Sequence, residues 1–210
     1  MDRDFSCVIG SGVLAFASEI QARDRQAITL ALRFAHRAAQ DLYEEAEDDW
    51  FQYYRRQLRF LGWDAQPALI SNTARLQGLA ITERAREHMQ AQGTHFAALG
   101  GRGLKALARS PNGMKLLEQF ARRHRHGMFQ LFSCRPGKAP SGVPVIDLVV
   151  YHEELDLGAS KGWFLDDTAL PLRQAYIGLV RFDVRSFERT HMPKIAQRFE
   201  RFEGDYLAML

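Results

Sequence analysis

Two cysteines in 210 residues, Cys7 and Cys134, are too few and too far apart for a disulfide scaffold or a structural zinc site, and neither belongs to a C-x-x-C pair. They are expected as buried, reduced thiols of a cytoplasmic protein, with one long-range disulfide as the alternative. Proline is scarce, at 7, beside 14 phenylalanines, a balance that excludes a disordered chain. No apolar run is long enough to span a bilayer. Residues 8–17 are a short apolar stretch ending near Ala15-Phe16-Ala17, which resembles a signal-peptidase site. The opening Met-Asp-Arg-Asp lacks the basic region that a secretory leader needs. A cytoplasmic location is therefore expected, with secretion without a cleaved signal as the alternative. Internal repeats and low-complexity tracts are absent. The net charge is only +3, a slight pull toward anionic partners.

What is present is periodicity. Over residues 23–61, apolar side chains recur at Ile28, Leu32, Ala35, Ala39, Leu42, Ala46, Trp50 and Tyr53. Steps of three and four residues predict one long amphipathic helix, or two segments broken near Glu47-Asp48-Asp49, with Gly62 as the stop. Residues 64–73, with Pro67, read as a connection. Helical spacing returns over 76–92, 104–109 and 114–124, interrupted at Gly100-Gly101 and Gly103. From Gly127 the pattern changes to strands, over 128–134, 143–151 and 173–184, with a short edge strand at 163–165. Loops fill 135–142 and 158–162, and a helix over 193–210 closes the chain. Segregated helices and strands predict an α+β fold. The expected architecture is an N-terminal helical layer with one long amphipathic helix, packed on a small antiparallel sheet, with a C-terminal helix. Its two regions, 1–126 helical and 127–210 β-rich, are expected to form one compact unit.

Gly10-Ser11-Gly12-x-x-Ala15 has the spacing of a dinucleotide fingerprint. That turn needs a βαβ unit and an acid about twenty residues on, yet residues 29–35 carry none. No cofactor is expected. His124-x-His126 and His152-Glu153-Glu154 contain zinc-type ligands. Arg122, Arg123 and Arg125 would repel a cation there, so no metal is expected either. Glu153-Glu154 and Asp166-Asp167 read as solvated turn acids. No Gly-x-Ser-x-Gly elbow is expected, so no serine nucleophile is assigned. An enzyme reading is left with Cys134, which precedes a Pro-Gly loop beside Arg135, or with the His152 region, and it ranks last.

Two polar and aromatic features remain. Residues 102–125 carry Arg102, Lys105, Arg109, Lys115, Arg122, Arg123 and Arg125 against Glu118 alone. Arg102, Lys105 and Arg109 share one helix face. This is a candidate anion-binding surface for nucleic acid or an anionic membrane, including as a membrane-active toxin. Trp50, Phe51, Tyr53, Tyr54, Phe60 and Trp63 crowd one region and cover a wide helical arc. An arc that wide is buried or docked on a partner. Trp50, Phe51, Tyr54 and Trp63 are accordingly taken as a candidate interface for a protein partner or a second copy. Asp49-Trp50-Phe51-x-x-Tyr54, Leu58 and Leu61-Gly62-Trp63 resemble a helix in uncharacterised bacterial proteins that ends in Leu/Ile-Gly-Trp. That resemblance implies a helical half before a β-rich half, and no activity, substrate or cofactor. The function expected first is non-enzymatic interaction or self-assembly. Anionic-partner binding comes second.

Overall fold

A computed structural model describes residues 5–42, 50–64, 68–69, 78–123, 126–157, 165, 170–199 and 207–210. The fold is α+β, as the segregation of patterns predicts. Helices α1 (Ala22–Leu42), α2 (Trp50–Phe60), α3 (Ile81–Gln92), α4 (Thr94–Leu107) and α5 (Pro111–Ala121) precede the long strands β5 (His126–Lys138), β6 (Pro144–Asp156) and β7 (Leu172–Phe182). Helices α6 (Val184–Thr190) and α7 (Met192–Phe199) follow them. The stripe over 23–61 therefore belongs to two helices, and residues 43–49 between them lie outside the described residues.

The sheet differs from the expected small antiparallel one. The opening residues form a hairpin, β1 (Phe5–Ile9) and β2 (Gly12–Phe16), turning at Gly10-Ser11. Strand β2 then pairs in parallel with β5, Val13 beside Leu131 and Ala15 beside Ser133. The predicted C-terminal helix stops at Phe199, and the chain end returns as β8 (Leu207–Met209), antiparallel to β1. With the short β3 (Ala68–Leu69) on β7 and β4 (Arg122–Arg123) on β5, the described residues make an eight-stranded mixed sheet. Its path runs β3-β7-β6-β5-β2-β1-β8. Strands from both sides of residue 126 alternate in that order, so one sheet crosses the expected regional boundary. Of the expected edge strand at 163–165, Trp163 and Phe164 lie outside the described residues.

Helices cover both faces because the strands are apolar on both. On one face Cys7, Leu14, Phe16, Phe132, Leu148 and Val150 meet α1, α2, α6 and α7. On the other Val8, Val13, Phe129, Leu131, Val149 and Tyr151 meet α3, α4 and α5. A strand buried on both faces reads as a nearly continuous apolar run instead of an alternating one, as in Met128–Cys134, broken by Gln130 and Ser133, and in Leu148–Tyr151. Among the described residues, no helix is long and apolar enough to cross a membrane.

Candidate anion-binding face

The aromatic residues are core, which corrects the interface expected from them. Trp50, Phe51, Tyr54 and Trp63 are 2%, 2%, 1% and 3% exposed. Phe51 lies face to face on His152 at 3.8 Å between centroids, Trp50 stacks on Tyr54 at 5.0 Å, and Trp63 stacks on Phe182 at 4.2 Å. Helix α2 is wedged between α1 and the sheet, so its wide apolar arc is enclosed within the chain. His152 shares that burial, with Nε2 3.2 Å from Glu154 Oε1. Burial pushes the Glu154 carboxyl up, but His152, Gln174 and Arg173 outweigh it and hold it below the usual carboxylate range.

The thiols are equally enclosed. Burial pushes Cys134 well above the ordinary thiol range, and Cys7 adds to that. Burial raises Cys7 to about 12, against the Thr29 hydrogen bond and the Arg33 charge that favour its thiolate. A protonated thiol without solvent access is no nucleophile. Both cysteines are free. They sit on β1 and β5 with β2 between, so strand spacing alone separates them by about 9–10 Å, beyond disulfide reach. An enzyme built on Cys134 or His152 thus has no open site at either residue.

The glycine fingerprint has a different use. Gly10, at φ 53°, forms a β-hairpin turn against the His36 ring, and a Cβ there would fall 2.0 Å from that ring. The Ser11 N–H points to His36 Nε2 at 3.3 Å. An imidazole therefore occupies the approach that a pyrophosphate would need.

One ionic cluster escaped the sequence reading. Arg84 and Glu153 are fully buried and pair bidentately at 3.0 and 3.2 Å. Arg84 also donates to the Leu79 carbonyl at 2.6 Å, and the Tyr151 hydroxyl donates to Glu153. Burial raises the Glu153 carboxyl above its ordinary value, opposed by Arg84, Tyr151 and His152. Glu153 is thus a buried anion instead of the expected turn acid, and the cluster ties α3 to β6. Asp166-Asp167 lies outside the described residues. So does Gly158-Ala159-Ser160-Lys161-Gly162, which does have the G-x-S-x-G spacing expected to be absent. Among the described residues, no group of three His, Cys, Asp or Glu side chains is placed to hold a metal ion.

The basic segment is where charge reaches solvent. Helix α4 lies tightly on the sheet through glycine: a Cβ at Gly103 would be 3.2 Å from Ala15 and Val13. One at Gly100 would be 3.0 Å from Leu131. With that side pressed inward, Arg102 and Lys105 project outward, and Arg109 follows the helix end, all three exposed. They span about 10 Å along the helix. Ser110 then caps α5 by accepting from the Gly113 N–H at 3.1 Å, with Pro111 at the first helical position. Lys115 on α5 is exposed. Arg122 is half-buried and bonds to Glu118 at 2.8 Å. The side chains of Arg123 and Arg125 lie outside the described residues.

No family model matches the chain, and no curated protein matches it. A solved structure of the Evf virulence factor is similar at a TM-score of 0.42 and 12% identity, over 96% of this chain and 84% of that one.

Proposed function

We propose that this protein is a non-enzymatic binding protein that engages the phosphate backbone of nucleic acid through the outward face of α4 and α5. One observation carries the reading. Arg102, Lys105, Arg109 and Lys115 are all exposed, while Glu118, the one acid within residues 94–123, is bonded to Arg122. Glycine contacts hold α4 firmly on the sheet, so its cations present a fixed row. A phosphate backbone is favoured over a bilayer because the exposed large hydrophobics among the described residues are Phe60, Val143, Leu179 and Met209, none of them in α4 or α5. Helix insertion at a membrane surface needs buried apolar area, whereas backbone binding needs only cations that displace counterions.

The test is fluorescence anisotropy of a labelled duplex of about 20 base pairs, titrated at several salt concentrations. Binding should weaken with a log–log slope of about −0.9 per cation engaged. The R102Q/K105Q/R109Q variant should bind more weakly, with a slope shallower by about 2 to 3. Salt-independent binding, or an unchanged triple variant, overturns the proposal. Binding to phosphatidylserine vesicles without duplex binding replaces it with the membrane reading.

A further inference from the structure

The hairpin of β5 and β6 outruns the sheet on both sides. Strand β2 ends at Phe16 beside Cys134, and β7 ends at Phe182 beside Ile146. Strands β5 and β6 go on pairing past both ends, Gly137 with Val145 and Lys138 with Pro144. The Ala139 N–H then donates to the Val143 carbonyl at 2.9 Å. From Pro136 to Ala139 this arm is about 10 Å long, with its turn beyond. A cavity of about 930 Å³ lies between one face of the arm and α6 with the start of α1. Residues 140–144 are all exposed.

A ribbon with open edges invites another strand to pair with it. The bond at Ala139 fixes the alternation along this one. Odd-numbered residues pair across the arm, and even-numbered residues turn their backbone groups to its outer edges. Positions 136 and 144 fall on opposite edges, and both are proline, which has no N–H to offer. The arm therefore projects without recruiting a further strand, which leaves its faces and tip for contact.

Its root adjoins the basic face. The Arg135 guanidinium lies 5.0 Å from the centroid of the Phe96 ring, in the first turn of α4. From there α4 runs back over Leu131 and Ser133 at Gly100, while the arm runs forward. The cations follow in the order Arg109, Lys105, Arg102, Arg135 and the exposed Lys138. Arg135 and Arg181 share Asp147 at 3.6 and 3.4 Å, two guanidiniums to one carboxylate. Beyond Lys138 the chemistry changes, because Ala139-Pro140-Ser141-Gly142-Val143-Pro144 carries no charge. Cations at the root suit phosphates, and an uncharged tip suits base edges. The major groove of B-form DNA, about 12 Å wide, admits a two-stranded ribbon, whereas that of A-form RNA is deep and narrow. We infer that the β5–β6 arm enters the major groove of the duplex whose backbone lies on α4, with Arg135 and Lys138 on the flanking phosphates. This rests on the nucleic-acid reading above and adds the substrate class, B-form duplex DNA over duplex RNA.

Anisotropy titrations with one sequence as duplex DNA and as duplex RNA test the groove. The wild-type protein should prefer DNA by at least about fivefold. S141E, a change at an exposed turn position, should weaken DNA binding severalfold and leave RNA binding within about twofold. Tethered cleavage tests the placement. Both native thiols are buried, so an iron–EDTA chelate attaches selectively at S141C, at A98C on the exposed side of α4, or at Q52C on α2, across the sheet. S141C and A98C should cut the DNA backbone, and Q52C should not. Cleavage from A98C with none from S141C overturns the arm and leaves the α4 reading standing. Equal affinity for the two duplexes, or S141E binding DNA as the wild-type protein does, also overturns the arm alone. Failure of the wild-type protein to bind either duplex removes both readings.

Discussion

A guanidinium with no solvent contact is tolerated only when a carboxylate and further acceptors replace its water, and Arg84 meets that condition through Glu153 and the Leu79 carbonyl. Removing one partner leaves the other charged and stranded. R84M should therefore lose about 3–5 kcal/mol in urea denaturation. R84M/E153Q, which removes both charges and keeps an acceptor for the Tyr151 hydroxyl, should regain much of that loss. A double variant no more stable than R84M would show that the guanidinium's packing matters more than its charge. The pair was invisible in one dimension. Arg84 sits among Glu83, Arg86 and Glu87 on an ordinary-looking helix. Glu153 adjoins Glu154, and only the two-residue period of β6 sends the first toward α3 and the second toward α2.

At the scale of elements, the glycines of α4 are the instructive case. Read along the chain, Gly100, Gly101 and Gly103 interrupt a helix, since each costs about 1 kcal/mol relative to alanine. In the fold α4 runs through all three, because Gly100 and Gly103 let it approach β2 and β5 closely. The cost of a side chain should therefore depend on which glycine receives it. G103V should destabilise by about 1–3 kcal/mol through overpacking. G101A, where a Cβ meets nothing within 4 Å, should stabilise by about 0.5–1 kcal/mol. Thermal melts of the two variants check this, and equal shifts would contradict the close-approach explanation. Helix α2 carries the complementary lesson. Its aromatic arc was legible as apolar in the sequence, but the sequence did not say that the partner covering it would be the chain's own sheet and α1.

For the whole molecule, the decisive feature is that β2 lies beside β5 while β8 lies beyond β1. The first and last of the described strands are neighbours, and the hairpin β1–β2 joins them to the long β5–β6–β7 meander. A fragment of residues 127–210 should accordingly show no cooperative unfolding transition by circular dichroism, because β5 would lose β2 and both faces of the sheet would lose helices. A cooperative fragment would show that the two regions fold separately instead of as the one compact unit expected. The sequence by itself determined the class of fold, the positions of the long strands, most of the helical segments and the cationic row of α4, since these follow from periodicity and charge within short windows. Tertiary structure alone decided the parallel pairing of β2 with β5 and the return of the C-terminus as a strand. It also decided the burial of Trp50 and His152 and the Arg84–Glu153 pair. Each of these joins residues distant in the chain, and local propensity carries no information about which distant surface will exclude the water.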